Sequence, residues 1–202
     1  MSVAATAIEH GGHDSGHHLS RQVKLVQFRS LVLMLLVSDL VFVAGLFFGY
    51  IYLRALDIHH MWLPASVHPP SAASSWLIAG LLVVSSAVYR WGDLSGRGGR
   101  EGRMRAGMLA ALVLVLADLV LQVQQMASAS FPPTAGAFAS LYYALSGYHV
   151  FHVALLLVVG TGIAIRAGRG IYRAGEYNEV ALGGLAWYWV TLIALWMAVL
   201  PH

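Results

Sequence analysis

The chain has no cysteine in 202 residues, which excludes disulfides, thiolate metal sites and cysteine nucleophiles. Charge is nearly as scarce. Only 10% of residues are Asp, Glu, Lys or Arg, against about a quarter in soluble chains. A soluble fold of this size cannot hide a composition that is 58% hydrophobic with a mean hydropathy of +0.70, so the expected solvent is lipid. The formal charge of +3 then reports basic loops on a membrane protein rather than a nucleic-acid surface. No convincing internal repeat is present, so the inverted-repeat design of many transporters finds no support. No small-residue cleavage site follows the first apolar run, and a cleaved signal peptide is not expected.

What the chain does have is length in its apolar runs. A spanning helix needs about 20 predominantly apolar residues. Five runs meet this, at 28–54, 74–91, 104–127, 137–165 and 180–200. Strands of an open sheet would leave backbone groups without partners in lipid, so the expected fold is an all-α polytopic membrane protein. Residues 28–202 form its five-helix domain, and residues 1–27 read as a flexible tail. That tail holds His10, His13, His17 and His18 among glycines, the composition of some metal-binding tracts and also of solvated linkers. Eleven of the twelve basic residues flank the N-terminal side of the first run or lie in and at the edges of the second and fourth connections; Arg54 is the exception. The connection at 127–136 has none. The distribution predicts a cytoplasmic N-terminus and a C-terminus outside.

Ionisable groups at membrane depth are costly and mark function by default. Asp39 and Asp118 lie inside the first and third runs, and His149 and His152 inside the fourth. The histidines are three residues apart and share a helix face. Each aspartate costs about 2.5–3.5 kcal/mol at a helix centre if charged, so a partner is expected. The candidates are the two histidines, with Tyr148, Gln122, Gln124 and Gln125 as neutral donors. A pair between Asp39 and a histidine of the fourth helix is the preferred expectation; packing by unrelated hydrogen-bonding groups is the alternative. Two histidines and an aspartate also match a facial triad, and His149 is an admissible haem ligand. Neither pattern is specific, and no catalytic, cofactor-binding or metal residue is expected. His59, His60 and His68 share one outside loop without ligand spacing. Gly45 and Gly49 form a G-x-x-x-G packing motif, extended by Ala44 and Ser38. Tyr50, Tyr52, Trp62, Trp76, Tyr89, Trp91, Tyr188 and Trp189 stand at span ends, where interfacial anchoring is the ordinary role.

The sequence resembles subunit III of haem–copper oxidases. In the fourth run, F-A-S-L-Y-Y-A-L-S-G-Y-H-V-F-H-V is similar to the family's aromatics followed by T-G-F-H-G-x-H-V, with Ser146, Gly147, Tyr148, His149, His152 and Val153 in register. The first run is similar to S-E-x-M-x-F-x-x-x-F-x-x-Y-x-x-L-R through Ser38, Asp39, Phe42, Tyr50, Leu53 and Arg54, with Asp39 in place of glutamate as in quinol-oxidase members. Ser85 and Ser86 resemble the paired hydroxyls of the next helix, and Leu121 and Gln124 its F-L-x-x-Q element. Glu179 and residues 187–196 resemble the closing region, but Val190 and Ile193 replace its histidine and aspartate. Asp118 has no counterpart in the pattern. The resemblance covers all five runs and implies the five-span form of the family.

It implies an accessory subunit of a cytochrome c or quinol oxidase in a bacterial plasma membrane. Such a subunit binds no haem or copper, which belong to partner subunits. It packs on catalytic subunit I beside subunit II, holds phospholipid and supports proton uptake and sustained oxygen reduction in aerobic electron transport. Under this reading Asp39, Asp118, Gln124, Tyr148, His149 and His152 are buried polar, proton or lipid-cleft groups. The competing classes are a related subunit of a nitric oxide reductase and an independent ion-coupled transporter or proton channel.

Overall fold

Five helices account for most of the described backbone. The computed structural model describes residues 5–57, 62–174 and 177–199, with side chains described from Val23 onward except those of Lys24, Leu25, Phe28, Arg173 and Ala174. In chain order the helices are α1 (Ala5–Ala55), α2 (Ala72–Arg97), α3 (Glu101–Ala127), α4 (Ala137–Gly168) and α5 (Asn178–Val199), with a short 3₁₀ turn at Ile171–Ala174 before α5. There is no strand among the described residues. All five helices contain a stretch long and apolar enough to cross a membrane. The protein is an all-α, five-span membrane protein.

The boundaries follow local chemistry. Pro69 and Pro70 lack the amides a helix needs, and Ser71 then caps α2 by accepting the Ser74 amide at 3.2 Å. At the other end Gly99 has φ +75°, the Gly99 amide donates to Gly96 O and the Arg100 amide to Ser95 O. That paired closure is a Schellman turn, which favours glycine at the left-handed position. α2 thus runs two turns past the expected end near Trp91, because Asp93 takes Arg90 at 2.6 Å and Arg97 at 2.8 Å along the same helix. α1 differs more. Its apolar part is Arg29–Ala55, but the helix begins at Ala5, where a flexible tail is expected. The first proline in the chain is Pro64, so no missing amide stops the helix upstream. The side chains of His10, His13, His17 and His18 lie outside the described residues, as do His59 and His60.

The chain divides into two units, Met1–Gly49 and Tyr50–His202. The first holds α1 as far as Gly49, with Asp39 and the Gly45–Gly49 motif, and the last turns of α1 belong to the second. In the second, α2 packs on α3 and α5, and α4 packs on α3 and α5, closing a ring of four helices. Its core includes Leu82, Met108, Ala111, Val115, Val153, Leu156, Val180, Trp187 and Val190. Most other large apolar side chains face outward, as a lipid-solvated bundle requires. Glycines set the closest approaches in this unit. A Cβ on Gly107 would stand 2.8 Å from Gly92 Cα, and one on Gly160 would strike the Trp187 ring.

Candidate functional site

Three groups of polar side chains are built into the four-helix unit. The first joins α2, α3 and α5, and its hydrogen bonds are made. Trp187 Nε1 donates to Ser85 Oγ at 2.8 Å, and Ser85 donates to Ala111 O at 2.9 Å. Ser86 and Thr191 share a 2.7 Å hydrogen bond. Tyr89 donates to Val180 O at 2.9 Å and stacks on Trp187 with ring centroids 4.2 Å apart. Such a stack adds about 0.5–1.5 kcal/mol beyond burial. Tyr89 is therefore a core residue rather than the interfacial anchor its place near a span end suggests. Trp76, Trp91, Tyr52 and Tyr188 are exposed as that role requires.

The second group lies at the end of the bundle that carries the arginine-rich connections. Asp93 is buried between Arg90 and Arg97. Arg105 donates to Ala167 O at 3.2 Å, and Tyr177 to Gly96 O at 2.7 Å beneath the Arg97 guanidinium. Glu179 accepts from Arg166 at 2.9 Å and from Tyr172 at 3.1 Å. Burial and the Glu179 carboxylate push the Tyr172 phenol up to about 12, against a smaller opposite pull from Arg166.

The third group is different. Asp118 on α3 and His149 on α4 are both buried, with Oδ2 and Nε2 3.8 Å apart. That gap is too long for a hydrogen bond. Neither carboxylate oxygen and neither ring nitrogen has another hydrogen-bond partner. The same holds for Gln125 Oε1, Ser146 Oγ and the Tyr142 hydroxyl. A buried polar group left this way costs about 1–3 kcal/mol. The pattern has a simple helical origin. Residues 118, 122 and 125 lie at i, i+4 and i+7 on α3, and 142, 146 and 149 repeat that spacing on the antiparallel α4.

The sequence candidates fall as follows. His149 takes Asp118 of α3 as its carboxylate neighbour. His152 Nδ1 lies 2.9 Å from Tyr148 O, an arrangement that places the proton on Nδ1, and its ring lies tilted against Tyr148 with centroids 4.2 Å apart. Gln124 faces an open cleft of about 410 Å³ with His68, Ser71 and Phe131, apart from the Asp118–His149 pair. Val190 and Ile193, at the positions of the missing histidine and aspartate, are ordinary core residues. Ser146 belongs to the stretch that carries the family resemblance, whereas Tyr142 was not singled out and is found only through its spacing with Ser146 and His149. Among the described residues no three His, Asp or Glu side chains converge as a metal-binding group.

A family model for cytochrome c oxidase subunit III matches residues 5–200. The chain belongs to the cytochrome c oxidase subunit III family. It is 22% identical over 191 residues to cytochrome c oxidase subunit 3 of Mus musculus, covering 92% of this chain and 71% of that protein. It is 26% identical over 168 residues to the Thermostichus vulcanus protein of the same name, covering 82% of each. The subunit III match thus embraces all five helices, including the polar seam between α3 and α4.

Proposed function

We propose that this chain is a non-catalytic subunit III of a haem–copper respiratory oxidase. The observation that carries the reading is the family match across residues 5–200, which takes in all five spans. Haem and copper belong to partner subunits, with this chain packed on catalytic subunit I and subunit II in the same complex. Its exposed apolar helix faces suit a bacterial plasma membrane, with structural phospholipid among their neighbours. The arginine-rich connections face the cytoplasm and the C-terminus lies outside. The work of such a subunit is assembly, proton uptake and sustained oxygen reduction.

Purification of the tagged chain from its native membrane tests this. Haem-bearing subunits that co-purify and reduce oxygen support the proposal. A complex that reduces nitric oxide but not oxygen, or a lone chain that conducts protons in liposomes, overturns it. Asp39, the acid of the first span, is the residue on which this reading puts assembly. Asp39→Ala is expected to leave haem content per catalytic subunit unchanged while lowering the yield of assembled complex or the number of turnovers before inactivation. Normal assembly with lost haem spectra would contradict that role.

A further inference from the structure

The buried polar groups of the four-helix unit divide by seam. Between α2, α3 and α5, Ser85, Ser86, Tyr89, Trp187 and Thr191 are hydrogen-bonded. Between α3 and α4, Asp118, Ser146 and His149 are almost wholly buried, yet none of them makes a side-chain hydrogen bond. Buried polar atoms are normally satisfied by protein or by ordered water. A cavity of about 50 Å³ lies at this seam, walled by Ser75, Gln122, Gln125, Tyr142 and Ser146 together with apolar side chains of α4 and α5. Its volume admits more than one water, and its polar walls offer the two to four partners each water needs. Gln125 Oε1, Ser146 Oγ and the Tyr142 hydroxyl, whose residues line it, have no protein partner.

The seam is polar in one direction only. From the cavity the next turn of each helix brings Asp118 and His149. Beyond them, toward the arginine-rich end, the same faces continue with Val115 and Ala111 on α3 and Val153 and Leu156 on α4, all buried. Polar side chains thus approach the pair from the Pro70–Ser75 end, and apolar side chains close the other side.

We propose that α3 and α4 enclose a one-ended water site, in which water from the cavity bridges Tyr142, Gln125 and Ser146 to the Asp118–His149 pair. The ligand is water together with the proton it carries. A bridging water spans the 3.8 Å gap that a direct hydrogen bond cannot. A proton delivered along the water is held by the imidazole or the carboxylate and returns by the same route, so no other reactant is required. The site is distinct from the oxidase assignment, since it rests on side chains within this chain.

The test uses the full chain in lipid nanodiscs with whatever subunits co-purify. Radiolytic hydroxyl labelling read by mass spectrometry reports water beside buried rings. Tyr142, 9% exposed, is expected to label at least about tenfold faster than Tyr89, 2% exposed with its hydroxyl already bonded to Val180 O, a wider gap than their difference in exposure alone gives. Deuterium exchange at the imidazole Cε1 is expected to run on His149 within about tenfold of exposed His68. Ser146→Leu fills the cavity and brings Tyr142 down to the Tyr89 level. Equal labelling of Tyr142 and Tyr89, or a His149 that stays unexchanged while His68 exchanges fully, overturns the proposal. Both comparisons are made within the unaltered chain, so they decide the matter even if Ser146→Leu does not fold. They also hold whether or not any haem-bearing subunit is recovered.

Discussion

Trp187 does three things at once. Its ring stacks on Tyr89, its Nε1 donates to Ser85, and its far edge fills the notch left by Gly160. Trp187→Phe keeps part of the ring contact and removes the donor. Ser85 still donates to Ala111 O, so the expected loss is about 1–2 kcal/mol, read from detergent-induced unfolding in mixed micelles. Tyr172 gives a prediction in pH. Its phenol is raised from 10.0 to about 12, so folding favours the neutral form. That contribution is complete below the unfolded value near 10 and fades as pH rises toward 12. Glu179→Gln removes the neighbouring carboxylate, and the phenolate absorbance of Tyr172 is expected at lower pH than in the parent chain. Asp118 and His149 were legible in the sequence as costly residues, since burial of charge is read from composition alone. Their partnership stood there only as one candidate among several, because the choice depends on the register of two antiparallel helices. Tyr89 was misjudged for a related reason: sequence gives depth along a helix, but packing gives rotation about it.

Elements obey simpler rules. All five spans were legible because lipid demands long apolar runs, and their cores coincide with the helices found. Ends were less so. α2 continues past its apolar run because Asp93 neutralises Arg90 and Arg97 within the helix, a local ion network that hydropathy does not register. The crossing of α2 and α3 depends on Gly92 and Gly107, whose backbones leave no room for a side chain. Gly107→Ala is expected to force the helices apart and cost about 1–3 kcal/mol. Gly102→Ala on the same helix meets open space and is expected to be neutral or slightly stabilising through helix propensity. Parallel unfolding curves of the two variants check the contrast.

At the scale of the molecule, the absence of cysteine is an experimental advantage. Single cysteines at Ser130 and Gly102 stand at opposite ends of the bundle, both on exposed positions. In intact cells a membrane-impermeant maleimide is expected to label Ser130→Cys and to spare Gly102→Cys until the membrane is opened. The reverse pattern would invert the assigned topology. The two ends also differ in how they are fastened. At the arginine-rich end, directional bonds from Tyr177, Arg105 and Arg166 tie connection to helix. At the other end Tyr143 donates to Phe131 O at 3.0 Å and Ser140 to Pro133 O at 2.7 Å, while Trp62, Phe131, Phe138 and Tyr142 meet ring on ring. One end is thus fastened largely through guanidinium groups and the other largely through rings, so added salt screens the first and leaves the second nearly untouched.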